Sequence, residues 1–235
     1  MLSSFFDQFI IIPLLSGWWN NSYLMVMVVV LLAYLLFFQV FLVPRRWQVL
    51  LEGLYQHWWE TLQTGLGAHA GLYFPFIFAL FFLIGLLNLM GLFPYVFTVA
   101  THIAITFGFS FSILMAVTIL SLRKFGWDFF SLWMPAGAPL ALAPLLVLIE
   151  TASYFSRAIS LGIRLAANLS AGHLLFAILA SFGFQMVLAG WWGLSLIPIG
   201  IMVFITLLEL AVALIQAYVF CLLTSIYLAD TVALH

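Results

Sequence analysis

Arg164 sits inside an unbroken run of apolar and small residues, Ser160-Leu-Gly-Ile-Arg-Leu-Ala-Ala-Asn-Leu-Ser-Ala-Gly-His-Leu174. A guanidinium at bilayer depth costs several kcal/mol, about 3 on insertion scales and more by simulation. Arginine does not escape by losing its proton, because its pKa lies above about 12. The charge must therefore act on a partner or anchor the fold. Glu150 is too far along the same helix to neutralise it, about 21 Å away. Glu209 or Gln216, in the last apolar run, could pair with it under the anchoring reading.

At 100° per residue, Glu150, Arg157, Arg164 and Asn168 fall within a narrow arc, a polar stripe on an apolar rod. Ser153, Ser160, Ala167 and Ala171 border it, and small residues permit close approach of another helix. A charge beside such a low surface suits a partner that slides past. Arg157 reads best as structural, snorkelling or bonding carbonyls. Glu150, near the start of the helix, is either an interfacial residue satisfied by water or a proton acceptor at a channel mouth. His173 points to the opposite side of the helix from Arg164. Its titration near neutral pH suits proton relay, and a satisfied core histidine is the alternative.

Glu209 and Gln216 are seven residues apart and share a face. Tyr218, Tyr227 and Asp230 add polar points beyond them. A buried carboxylate with no cation beside it exchanges protons more readily, and pairing with a neighbouring helix is its structural alternative. His102 reads as structural, and the lone Cys221 as a small packed hydrophobe. His57 and Glu60 have helical ligand spacing but make only two ligands, so no metal site is expected. No cofactor, phosphate-loop or nucleophile motif occurs, so no nucleotide site is expected on this chain.

These residues need elements to hold them, and composition says of what kind. The 235-residue chain is 67% hydrophobic and 6% charged, with a mean hydropathy of +1.28. A soluble domain carries about 25% charged residues. The expectation is a single all-α integral membrane domain over residues 1–235. The net charge of −1 gives no reason to expect a nucleic-acid partner. The N-terminus lacks the basic region of a cleavable signal and the arginines of a transit peptide. An organellar version is therefore expected to be made inside its organelle.

Spans are predicted at about 23–43, 73–93 and 101–122, each long enough for a hydrocarbon core about 30 Å thick. Between the first two, residues 46–66 read as an interfacial amphipathic helix. Trp47, Leu50, Leu51, Leu54, Trp58 and Leu62 share one face, and Glu52, Gln56, Glu60 and Gln63 share the other. Trp59 breaks this pattern, and the glycines from Gly65 to Gly71 close the helix. Residues 126–139 read as a loop. Residues 140–184 and 199–229 then form a hairpin of two helices too long to stand upright, so they must be strongly inclined, curved or broken. The Trp191–Trp192 region is its interfacial turn. About five traverses result. Four of the six basic residues, Arg45, Arg46, Arg123 and Lys124, fall at ends that this topology places on one side. The positive-inside rule makes that side the matrix or cytoplasm and puts the N-terminus opposite.

Three blocks together resemble subunit a of F-type ATP synthases. They are Asn88-Leu-Met-Gly-Leu-Phe-Pro-Tyr95; Ile149-Glu-Thr151 with Ile163-Arg-Leu-Ala-Ala-Asn-Leu-Ser-Ala-Gly-His-Leu174; and Leu208-Glu-Leu-Ala-Val-Ala-Leu-Ile-Gln-Ala-Tyr-Val-Phe220. The resemblance implies a stator of the F0 sector working against a ring of c subunits, with peripheral-stalk and other F0 subunits and membrane lipids as neighbours. Arg164 then matches the essential arginine. Asn168, His173, Glu209 and Gln216 match channel-lining positions, and Glu150 the exit-side carboxylate. Asn88, Ser153, Arg157, Ser160, Tyr218 and Asp230 would support them. His at 173 with Glu at 209 is similar to mitochondrial members. That implies the mitochondrial inner membrane with the N-terminus toward the intermembrane space, and the bacterial plasma membrane is the alternative. A respiratory-complex subunit relaying protons without a rotor is the competing class. It would bring paired helical histidines, a feature the sequence lacks.

Overall fold

The computed structural model describes residues 9–13, 19–38, 46–93, 96–126 and 143–232, with side chains to 229. The architecture is helical: α1 (Asn21–Phe38), α2 (Arg46–Leu66), α3 (Ala70–Gly91), α4 (Ile103–Phe125), α5 (Ala143–Leu188) and α6 (Leu196–Val232). Short 3-10 turns at Gly67–His69 and Val99–Thr101 precede α3 and α4. The fold is that of an all-α integral membrane protein, with four long apolar helical runs and a shorter one at α1 among the described residues. The end of the first predicted span, the 126–139 loop past Gly126, and Arg45 lie outside the described residues. So does the side chain of Asp230.

Two compact units are present. One comprises residues 1–39, 81–105 and 164–218, the other residues 40–80, 106–163 and 219–235. In the first, α1 packs Met25 and Val29 with Val99, and Leu83, Leu87 and Met90 of α3 close over them. In the same unit α5 and α6 run antiparallel. Asn168 meets Gln216, and a Cβ on Gly183 would lie 3.6 Å from Pro198.

The hairpin turn explains why both long helices exceed their predicted bounds. Gly190 takes φ 80°, Trp191 N–H donates to Met186 and Gly190 N–H to Val187. This is a Schellman closure, in which a left-handed glycine satisfies the last carbonyls of α5. Pro198 lies in the first turn of α6, where its missing N–H costs nothing. At 46 residues, α5 is about 69 Å long, more than twice a hydrocarbon core. It runs unbroken through Gly162 and Gly172, so of the three expected ways to fit it, a break is excluded. Trp191 and Trp192 are exposed at the turn, as an aromatic belt requires.

In the second unit, α2 and α3 would be one 46-residue helix by length alone. Ring contacts exclude a straight rod. Tyr55 and Phe78 lie 5.6 Å apart between centroids, whereas a straight helix would separate them by about 34 Å. Gly67, at φ 55°, supports the bend. Trp59, the residue that breaks the amphipathic pattern, packs edge-on to Phe74 of α3. Trp58, Leu62 and Leu66 are buried, while Trp47 and Leu50 stay exposed. The apolar stripe thus meets the protein at one end and stands open at the other. Its polar face carries the i, i+4 bonds Gln48–Glu52 and Gln56–Glu60. Elsewhere in this unit α5 presses on α4, where a Cβ on Gly162 would meet the Phe107 Cα at 3.0 Å.

Candidate functional site

The first unit holds the segment around Arg164. Leu165, Ala166 and Leu169 are buried, and this orients α5 so that Arg164, Ala167, Asn168 and Ala171 are exposed. These four fall within about one quarter of the helix circumference. The result is a charged head on an open strip of small side chains. In hydrocarbon such a strip is unstable by itself, because an ionised guanidinium facing lipid is costly.

Asn168 Nδ2 donates to Gln216 Oε1 over 3.2 Å. Gln216 is 5% exposed, and its Nε2 has no hydrogen-bond partner among the described residues. The two long helices therefore meet at Gln216 through Asn168, one turn beyond Arg164 on the same stripe. Asn88 of α3 is fully buried and donates from Nδ2 to the Ala213 carbonyl over 3.2 Å. Ala213 lies between Glu209 and Gln216, so Asn88 holds the stretch of α6 that carries both. A Cβ on Gly85 would lie 3.8 Å from that of Ala217, and this closeness lets Asn88 reach across.

Glu209 occupies the space beside Gly172. A Cβ there would overlap its Oε1 and lie 2.6 Å from its Cδ. His173, the next residue, is turned to the Gly91 backbone. Glu209 Oε1 and His173 Nε2 are both buried without a hydrogen-bond partner among the described residues. An acid and an imidazole, each with an unfilled polar atom inside a membrane protein, are groups able to take up and release protons.

The second unit holds Glu150 and Arg157. Arg157 Nη2 lies 3.7 Å from Glu150 Oε1, with both side chains partly exposed. The guanidinium also sits 5.7 Å from the Tyr227 ring centre. Arg157 is thus engaged on two sides. Tyr154 OH and Thr118 Oγ1 share a 3.2 Å hydrogen bond nearby, a contact that the sequence did not signal. His102 stacks at a tilt on Phe97 with centroids 5.4 Å apart. Cys221 is buried.

Gly172 is the residue that sequence reasoning missed. A glycine inside a helix costs about 1 kcal/mol against alanine, so its presence usually has a packing reason. That was the available signal.

The family model described as ATP synthase A chain matches residues 21–229. The ATP synthase subunit a of Metridium senile is 58% identical over 234 residues, covering 99% of each chain. That of Chondrus crispus is 43% identical over 205 residues, covering 86% of this chain and 80% of its own. That of Saccharomyces cerevisiae is 44% identical over 197 residues, covering 83% and 76%. On a match that runs through every helix bearing the residues above, the chain belongs to the ATP synthase A chain family.

Proposed function

We propose that this chain is the proton-conducting stator of the F0 sector of a mitochondrial ATP synthase, working against a ring of carboxylate-bearing c subunits. A proton enters from the intermembrane side through a half-channel lined by Glu209, His173, Asn168 and Gln216. It passes to an ionised ring carboxylate, which becomes neutral and can face lipid at little cost. Near the end of a turn, the ring carboxyl loses that proton into a second half-channel bordered by Glu150 and opening to the matrix. Arg164 stands between the channels. Its fixed positive charge attracts the ionised ring carboxylate, favours deprotonation as the carboxyl arrives, and bars a proton from crossing directly. Nucleotide chemistry belongs to a separate soluble head.

The observation that carries this reading is the exposure of Arg164 on a strip of small residues midway along an apolar helix. A charge that served only to pin two helices would be turned inward, not set on an open face shaped for close approach. The test is ATP-driven proton pumping in membranes, normalised to assembled complex. Arg164→Ala should abolish pumping with assembly largely intact. Arg164→Lys should also fail, since a compact ammonium does not reproduce the planar fork and can lose its proton. Loss of the complex itself from Arg164→Ala would assign the residue to the fold instead.

A further inference from the structure

Within the second unit, a cavity of about 330 Å³ opens where the first turn of α3 meets the last turns of α4. His69, Tyr73, Ser121, Arg123 and Lys124 supply its polar groups. Ser121 is 2% exposed, and its Oγ has no hydrogen-bond partner among the described residues. This is unusual for a helical serine, which ordinarily bonds a carbonyl three or four residues back. Ser110, Ser112 and Thr118 of the same helix do so. A buried hydroxyl without a partner costs free energy unless a ligand or water satisfies it.

We infer that this cavity is a site for an anionic phospholipid, with its phosphate held by Arg123, Lys124 and the Ser121 hydroxyl. The remaining wall is apolar, made by Leu72, Leu120 and Leu228. Leu72 and Leu120 are themselves exposed, so an acyl chain can enter sideways from the bilayer. An amphipathic ligand matches a polar rim over an apolar wall, whereas free phosphate would leave that wall unfilled. The carbonyls ending α4 carry about half a negative charge. Two full cations outweigh it, and Lys124 is kept at this end, 5.1 Å from the Phe125 ring centre. The cavity also lies at the beginning of α3, the helix end that favours anions. Basic pockets between membrane helices on the positive side have the chemistry to bind such headgroups.

The experiment uses the purified, delipidated complex carrying this chain and a photoactivatable phosphatidylglycerol, with the matching phosphatidylcholine as control. Cross-links should map to peptides containing Leu72 or Leu120 for the anionic probe and be much weaker for the zwitterionic one. Arg123→Gln with Lys124→Gln should weaken labelling there by about thirtyfold, each surface cation being worth about a factor of five. Ser121→Val keeps both charges, removes the hydroxyl and narrows the cavity, so it should reduce labelling with assembly unchanged. It also serves if the double variant fails to assemble. Inorganic phosphate at millimolar concentration should not displace the lipid. Equal labelling by both lipids, labelling insensitive to Ser121→Val, or full displacement by inorganic phosphate would each overturn the proposal, the last in favour of a free-anion site.

Discussion

The Glu209 carboxyl fills the volume that a side chain on Gly172 would need. The two residues lie on antiparallel helices of the hairpin, and the absence of a Cβ on α5 is what sets the depth of the acid on α6. The position of the Glu209 carboxyl thus depends on a residue that has no side chain of its own.

Gly172→Ala should therefore displace the acid rather than break the fold. The overlapping atom is the free end of a flexible side chain, which can swing aside at modest cost. Proton pumping per assembled complex should fall by about tenfold to a hundredfold, the penalty expected when a reacting group moves by about 1 Å. Adding Glu209→Asp, which shortens the acid by one methylene, should restore part of the loss. Normal pumping in Gly172→Ala would remove Glu209's placement from the proton path.

How much of this was readable in the sequence depends on what each residue needed. Arg164, Asn168 and the small residues around them were legible because helical periodicity alone places them on one face. The length of α5 was legible from the absence of proline after Pro144. Gly172 was not, because its role lies in what it leaves vacant for a residue 37 positions away. The link between Asn168 and Gln216 was half legible. Their faces could be matched, but a register shift of one turn decides whether Gln216 meets Asn168 or Arg164, and helical periodicity does not set that shift. The contact of Arg157 with Tyr227 was not legible, because periodicity does not say which residues of two helices meet. The end of α2 at Leu66 was legible in the glycines from Gly65 to Gly71, whereas the packing of Trp59 on Phe74 left only a break in the amphipathic pattern as its sign.

Asn88 separates stability from conduction. It is fully buried and its side chain donates a hydrogen bond to the α6 backbone. Asn88→Ala removes that bond and leaves a void, a cost of about 1–3 kcal/mol. The amount of assembled complex and its melting temperature should drop, while pumping per assembled complex stays near normal. The opposite pattern, full assembly with lost pumping, would place Asn88 in the proton path itself.

Glu150 and Arg157 give a different contrast. Their ion pair is long and partly exposed, so it is worth less than about 1 kcal/mol. Neither Glu150→Gln nor Arg157→Ala should impair assembly much. If Glu150 borders the outlet channel, Glu150→Gln should slow pumping several-fold, because an amide cannot carry a proton away. Arg157→Ala should slow it less, since it leaves the carboxylate in place. Equal effects from the two substitutions would reduce Glu150 to a partner of Arg157.

Gln216 tests the hairpin register. Its Oε1 accepts from Asn168 and its Nε2 is buried unbonded. Gln216→Glu keeps the acceptor for Asn168 but puts a second, unpaired oxygen where the amide nitrogen was. A buried carboxylate in that place is stable only near a cation, and Arg164 lies one helical turn from Asn168. An ion pair formed there would hold the guanidinium against α6 and take it from the open strip. Gln216→Leu loses the hydrogen bond, worth about 1 kcal/mol, but brings no new anion to Arg164. Proton pumping per assembled complex should therefore fall further in Gln216→Glu than in Gln216→Leu. Adding Asn168→Ala to Gln216→Leu should cost little more, because the bond they share is already gone. Near-normal pumping in Gln216→Glu would mean that Arg164 is beyond reach of position 216.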